Sequence, residues 1–123
     1  MMLLDSNIII YAAESEHADL REMIAERAPA VSAVSYVEVL GYHRLTEEAR
    51  DYFVAFFAAA PVLPLSQVVL DQAVKLRQIR KMTLGDALVA ATALVHGLEL
   101  VTRNTDDFKW IPSLKTWNPF EGH

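Results

Sequence analysis

The chain has 123 residues, the length of one ordinary globular domain. Hydrophobic residues make up 53% of it and cysteine is absent, which excludes disorder as the main state and excludes disulfides, thiolate metal sites and a cysteine nucleophile. With 11 basic and 16 acidic side chains the formal net charge is −5, which argues against a protein that binds nucleic acid through overall positive charge. We therefore expect a single domain over residues 1–123.

The spacing of apolar residues, and the residues that interrupt it, predict strands and helices in alternation. Pro29 ends an early helix, and Gly97 ends the most apolar one. In chain order, the expected elements are a strand at residues 2–4, a helix from 8–11, a helix at 17–27, a strand at 30–33, helices at 36–45 and 47–59, a strand at 62–65, helices at 68–80 and 84–95, and strands at 98–102 and 114–116.

This alternation predicts an α/β fold, with a short and mostly parallel sheet of four or five strands covered by helices on both faces. Residues 52–70 carry no charge and match the length of a membrane span, but Pro61 and Pro64 interrupt them. Asp5 comes too early for a signal peptide, and the lack of cysteine suits a reducing compartment. We expect a cytoplasmic protein with no membrane partner.

Three acidic residues lie where a parallel sheet of this kind usually binds ligands, at the carboxyl ends of its strands. Asp5 follows the first strand, while Glu38 and Asp86 are expected near helix starts, in the capping patterns Ser35-x-x-Glu38 and Thr83-x-x-Asp86. Taken singly, each acid also fits a role in capping a helix. In an open parallel sheet, however, strand ends and helix starts meet at one edge, which would bring the three carboxylates together.

A fourth polar segment follows the strand at 98–102 and contains Asn104, Asp106 and Asp107. Clustered carboxylates repel one another, and a hard divalent cation with oxygen ligands, such as Mg²⁺, compensates that repulsion. The histidines show no spacing typical of metal ligands: His17, His43, His96 and His123. The sequence therefore favours a carboxylate cation site at the edge of the sheet.

Four motifs in order resemble those of PIN-domain nucleases, and more narrowly those of the VapC-type toxins of type II toxin–antitoxin pairs. They are Leu-Leu-Asp-Ser-Asn at residues 3–7, Ser-Tyr-Val-Glu-Val at 35–39, Leu-Gly-Asp-Ala-Leu-Val-Ala-Ala-Thr-Ala at 84–93 and Leu-Val-Thr-Arg-Asn-Thr-Asp-Asp-Phe at 100–108. The resemblance extends over essentially the whole chain, including Trp-Asn-Pro-Phe at 117–120.

The resemblance implies a PIN-like three-layer sandwich and an endoribonuclease that depends on Mg²⁺ or Mn²⁺. Asp5, Glu38 and Asp86 fall on its three core acidic positions, with Asp5 and Asp86 expected as direct ligands and Glu38 as a ligand or as the group that orients the attacking water. Many relatives carry Asp where this chain has Asn104, so the fourth position stays open. Helical spacing ranks Asn104 first, Asp107 second and Asp106 third.

Basic residues near the acids are candidates for binding the RNA backbone. Arg77, Arg80 and Lys81 are expected to share a helix face, and Arg103 flanks the fourth segment. The resemblance also implies a cognate antitoxin and a homodimer, with aromatic residues at 52–53, 56–57 and 110–117 as candidate contacts. The alternatives are a free-standing PIN nuclease in RNA processing or repair, and a non-catalytic module that binds RNA or a partner.

Overall fold

A computed structural model describes residues 1–121, so Gly122 and His123, and with them the prediction for His123, lie outside the described residues. The strands are β1 (Met2–Leu4), β2 (Ala30–Ser32), β3 (Val62–Leu63), β4 (Glu99–Val101) and β5 (Thr116–Trp117). The α-helices are α1 (Ser6–Ala12), α2 (Ala18–Arg27), α3 (Ala33–Leu40), α4 (Glu47–Ala59), α5 (Gln67–Ile79) and α6 (Leu84–His96). Two 3₁₀ turns cover Ser15–His17 and Thr105–Asp107.

The five strands form one sheet in the order β3-β2-β1-β4-β5, and every neighbouring pair is parallel. The first strand lies at the centre, and its Leu4 is level with Val31 of β2 and Val101 of β4. Residues that directly follow these strands therefore come out side by side at the carboxyl edge of the sheet.

Alternate residues of the central strands point into two separate apolar layers. Leu3 and Leu100 pack with α5 and α6, whereas Leu4 and Val101 pack with residues of α1 to α4. This arrangement confirms the predicted three-layer α/β architecture. The sheet is parallel throughout, because a helix or a long connection returns the chain to the same edge before each new strand.

The largest difference in element boundaries concerns α3. This helix was expected over residues 36–45 but runs from Ala33 to Leu40, because the hydroxyl of Ser32 accepts a hydrogen bond from the backbone N–H of Val34 and caps it earlier. The predicted strand at 62–65 is also shorter and ends at Leu63, immediately before Pro64, which lacks an N–H for the ladder.

The aromatic residues expected at contacts with other proteins belong largely to the core. Phe53 and Phe57 are buried between α4 and the sheet, and Tyr52 and Phe56 pack partly against the same layer. Several of the exposed apolar side chains lie instead on α3 and α5 and at the start of α6: Tyr36, Val37, Val68, Val74, Ile79 and Leu84.

Within residues 1–121, no helix combines the length and the apolar character that crossing a bilayer requires.

Candidate active site

Asp5 lies at the centre of the carboxyl edge, where β1 passes into α1. Its backbone N–H donates to the carbonyl oxygen of Val101 at 2.9 Å, which ties the residue to the neighbouring strand. Its Oδ1 accepts from the N–H of Ser6 at 2.8 Å, and its Oδ2 accepts from the hydroxyl of Thr102 at 2.7 Å. With 6% of its surface exposed, this side chain is almost fully buried and held in one orientation.

The surroundings of Asp5 oppose its ionisation. Burial, followed by repulsion from Asp86 and Glu38, raises the pKa of Asp5 from 3.8 to about 6, even though the hydrogen bonds from Thr102 and Ser6 act in the opposite direction. The ionised carboxylate of Asp5 therefore destabilises the folded protein, and a bound cation would offset that destabilisation.

Glu38 reaches the site from the middle of α3. The hydroxyl of Ser6 lies 2.7 Å from its Oε1 and 2.8 Å from the hydroxyl of Ser35, so Ser35 can donate to Ser6 while Ser6 donates to Glu38. The carboxylate also rests against Gly85 of α6, in the space that a Cβ at that position would occupy. Gly85 is thus the residue that lets α3 and α6 bring their acids together.

The expected capping box of Glu38 is wrong. Because α3 begins at Ala33, Ser35 and Glu38 both lie inside the helix rather than at its start. Glu38 is presented to the site by the position of α3 against α1 and α6 and not by a helix terminus.

Asp86 lies in the first turn of α6, as predicted. The hydroxyl of Thr83 caps this helix by accepting from the backbone N–H of Asp86 at 3.1 Å. The residues that follow, from Ala87 to Ala93, are all buried, so the side chain emerges at the mouth of an apolar helix. Partial burial, and then the charges of Asp107 and Glu38, raise the pKa of Asp86 above 3.8, against the influence of Thr83.

The fourth segment forms a 3₁₀ turn beside these acids. The N–H of Asn104 donates to the hydroxyl of Thr102, and the N–H of Asp107 donates to the carbonyl of Asn104 at 3.0 Å. Asp107 lies close enough to Asp86 to raise its pKa, and both line one cavity. Asp106 also lines that cavity, but its carboxylate is paired with Lys109 at 2.9 Å in a solvent-exposed ion pair.

The basic candidates separate into two groups. Arg80 and Lys81 line the cavity of about 460 Å³ that contains Asp86 and Asp107. The predicted helix face shared by Arg77, Arg80 and Lys81 is wrong, because α5 ends at Ile79 and Arg80 has an extended backbone conformation. Arg103 stacks its guanidinium on two aromatic rings, 4.9 Å from the centroid of Tyr11 and 4.5 Å from that of Phe120.

Sequence reasoning missed the polar side chains that orient the acids. Thr102 is fully buried and joins Asp5 to the fourth segment, and Ser6 joins α1 to Glu38. Their signal in the sequence is weak but present, since each of them is a small polar residue inside one of the four motifs.

A different trio has the closest ligand atoms within residues 1–121. One potential ligand atom from each of Glu14, Glu16 and His17 lies within 4.8 Å of the others, on a surface turn after α1. Contrary to the expectation from spacing, His17 therefore has two carboxylates beside it. The acids at the sheet edge are farther apart, but they are all hard oxygen donors. The burial of Asp5, the partial burial of Asp86 and the repulsion from neighbouring carboxylates suit a divalent cation.

The fold and the site together define a class: a three-layer α/β protein that gathers carboxylates from β1, α3 and α6 at the carboxyl edge of a parallel sheet. A PIN-domain family model matches residues 2–113. Ribonuclease VapC10 of Mycobacterium tuberculosis is 33% identical over 138 aligned residues, which cover 100% of this chain and 97% of the relative.

Solved structures agree with this assignment. A toxin–antitoxin complex from Klebsiella pneumoniae has a TM-score of 0.79 and 30% identity, covering 98% of this chain and 99% of that one. A DNA-bound VapBC from Salmonella typhimurium shares the fold, with a TM-score of 0.79 at 21% identity over 95% of this chain and 98% of that one. The chain belongs to the PIN-domain family and, within it, to the VapC proteins.

Proposed function

We propose that this protein is a divalent-cation-dependent endoribonuclease that acts as the toxin of a type II toxin–antitoxin pair. Asp5, Glu38 and Asp86 carry the proposal, because burial, and then repulsion from Asp86 and Glu38, raise the pKa of Asp5 to about 6 in a place where a bound cation would stabilise the ionised form. The ribonuclease name of the Mycobacterium tuberculosis relative and the toxin–antitoxin complex from Klebsiella pneumoniae support the activity and the biological role.

In this proposal each acid has a defined task. Asp5 and Asp86 hold Mg²⁺ or Mn²⁺ directly, and Glu38 either completes the ligand set or orients the attacking water. A divalent cation, when bound, supplies a nucleophile from water near neutral pH and offsets negative charge on the phosphate. Thr102 and Ser6 keep the carboxylates of Asp5 and Glu38 in fixed orientations through their hydroxyl groups.

The RNA backbone approaches along the basic side of the cavity. Arg80 and Lys81 lie beside Asp86 and Asp107, so a phosphate bound between the two groups would be near the acids. Arg77 and Arg103 contribute less in this arrangement, because Arg77 does not line the cavity and Arg103 is stacked on Tyr11 and Phe120.

The direct test is cleavage of total RNA by the purified protein. We expect cleavage with Mg²⁺ or Mn²⁺, none with EDTA, and none by Asp86→Asn purified in the same way. Mapping of the new ends identifies the cut sites. Cleavage that persists in EDTA, or in Asp86→Asn, would contradict the proposed site.

An antitoxin and a second copy of the chain are the proposed protein partners. We expect a gene for a small protein next to this one, whose product relieves the growth arrest caused by expressing the nuclease. A free-standing nuclease would cleave RNA without such a neighbour, and a non-catalytic module would bind without cleaving. We expect a homodimer in light scattering, with the exposed apolar residues of α3 and α5 as candidate contacts, and a monomer at tens of micromolar would exclude it.

A further inference from the structure

The cavity beside Asp86 has a wall that the cation site does not use. The acidic side of this space of about 460 Å³ consists of Asp86, Asp106 and Asp107. The rest is lined by Arg80, Lys81, Met82, Thr83 and Trp110. A volume of roughly 300–1,000 Å³ is typical of pockets that take small molecules, so there is room for a nucleotide but not for a duplex.

Trp110 is held in a defined orientation within this wall. Its indole N–H donates to the backbone carbonyl of Asp107 at 3.0 Å, one turn earlier in the chain. Part of the ring packs against the apolar layer of α5 and α6. The guanidinium carbon of Arg80 lies 5.5 Å from the ring centroid, which is the distance of a cation–π pair.

The Arg80–Trp110 pair thus presents an aromatic and guanidinium surface whose indole ring is anchored before any ligand binds. Binding of a ligand to the ring costs little further side-chain entropy, because the indole is already anchored by a hydrogen bond and by core contacts. The hydrogen bond to Asp107 also places the indole one short turn from the acidic wall.

Nucleic-acid chemistry identifies what such a surface binds. An unpaired base stacks on aromatic rings and on arginine planes, whereas a base inside a duplex is covered on both faces. Lys81 lies in the same cavity and offers a point charge for a backbone phosphate of the same nucleotide.

We propose that Arg80 and Trp110 form a stacking site for one unpaired base of the RNA substrate, next to the phosphate that faces Asp86. This inference rests on the proposed ribonuclease function and adds to it a residue that positions the substrate, Trp110. Stacking on a single base tolerates every base type, so the site positions the strand more than it reads sequence.

Fluorescence provides a test that does not depend on cleavage. The chain has 2 tryptophans, so Trp117→Phe leaves Trp110 as the reporter and Trp110→Phe leaves Trp117. Trp117 is a matched control, since it also has an arginine over its ring, Arg27 at 5.9 Å, but packs on the opposite face of the sheet. A short single-stranded oligoribonucleotide in EDTA should quench Trp110 saturably and leave Trp117 unchanged.

Two substitutions of similar size separate stacking from packing. Trp110→Phe and Trp110→Leu both lose the indole hydrogen bond, but only the phenylalanine keeps an aromatic face. We expect Trp110→Leu to weaken oligonucleotide binding about tenfold or more, and Trp110→Phe to stay within about threefold of the natural protein. In cleavage, the leucine variant should raise KM more than it lowers kcat.

Oligonucleotides with one base removed at each position in turn complete the test. One abasic position should weaken binding to the natural protein as much as Trp110→Leu does, and should add no further loss in that variant. Equal binding by the leucine and phenylalanine variants, an abasic effect that persists in Trp110→Leu, or no quenching of Trp110 would each overturn the inference. If the natural protein cleaves RNA in a metal-dependent way but one of these results is obtained, only the stacking site is rejected. If the natural protein does not cleave RNA, the proposed function is rejected.

Discussion

Two groups of possible cation ligands in this protein differ in how their surroundings affect the ionisation of their carboxylates. Glu14, Glu16 and His17 have ligand atoms within 4.8 Å of one another on a surface turn. The acids around Asp5 are more widely spaced, yet burial and mutual repulsion raise the pKa of Asp5 to about 6. Water screens charges at the surface, so close approach there costs little and indicates little. A cost in free energy, rather than short distances, is what distinguishes the site at the sheet edge.

The largest expected effect separates the two groups by activity. Asp5→Asn or Asp86→Asn should lower RNA cleavage by about a thousandfold or more, because stabilisation by a bound cation is worth several kcal/mol in the transition state. The triple variant Glu14→Gln, Glu16→Gln, His17→Asn should cleave RNA at the natural rate. Single-turnover cleavage in excess Mg²⁺ measures both. A large loss in the triple variant would mean that the surface turn belongs to the active site.

The next largest effect concerns the hydrogen bond by which Thr102 orients the buried carboxylate of Asp5. Thr102→Val removes the hydrogen bond to Asp5 and the acceptor for the N–H of Asn104, and we expect a loss of about 10- to 100-fold in Mg²⁺ affinity or rate. The pKa of Asp5 should rise further, because the hydroxyl of Thr102 opposes the effect of burial. The acid limb of the pH–rate profile should then move to higher pH.

Thr102→Ser is the matched control, since it keeps the hydroxyl and loses only a methyl group. It should restore most of the rate and return the acid limb towards its original position. If valine and serine behaved alike, the side chain would act by packing and not by orienting Asp5.

A smaller effect appears in stability without any cation. The folded pKa of Asp5, about 6, lies above the ordinary 3.8, so the folded state binds more protons and the free energy of unfolding falls as the pH rises from about 4 to about 6. At neutral pH, ionised Asp5 lowers the free energy of unfolding by about 3 kcal/mol. Asp5→Asn removes this charge but also loses the hydrogen bond with Thr102, which offsets about 1 kcal/mol of the gain. We expect Asp5→Asn to be more stable than the natural protein by about 1–2 kcal/mol at pH 7 in EDTA.

Urea unfolding at several pH values measures this difference. The advantage of Asp5→Asn should shrink towards pH 4, where Asp5 is protonated in the natural protein. Glu16→Gln on the surface turn should change stability by less than about 0.5 kcal/mol at any of these pH values. An Asp5→Asn variant that is less stable at pH 7 would show that the ionised carboxylate is not strained.

The smallest expected effect is at the fourth position. Helical spacing placed Asn104 first, but Asp107 is the residue of this turn whose charge raises the pKa of Asp86. Asp106 lines the same cavity but is paired with Lys109. Asp107→Asn should raise the Mg²⁺ concentration needed for half-maximal cleavage about three- to tenfold, corresponding to ~1 kcal/mol for one partly exposed charge. Asn104→Asp and Asp106→Ala should change it by less than about twofold. If Asn104→Asp clearly lowered the Mg²⁺ concentration needed for half-maximal cleavage, Asn104 would again be the favoured candidate for the fourth ligand.

The sequence by itself determined the types of the elements and which acidic residues are candidates for the active site. Apolar spacing and helix-ending residues are local properties, which is why the helix at Glu47–Ala59 and the strand at Met2–Leu4 were predicted with their observed bounds. The motifs identified Asp5, Glu38 and Asp86, and a sheet whose strands are parallel was sufficient to predict that they converge.

Only the tertiary structure decided how these residues meet. The hydrogen bond between Thr102 and Asp5 spans 97 positions and exists because β1 and β4 are neighbours in the sheet. Glu38 reaches the site from mid-helix because Gly85 leaves space for its carboxylate, and Arg80 turns to Trp110 because α5 ends at Ile79. Burial, charge repulsion and close approach between distant segments depend on packing, and no local pattern in the chain records them.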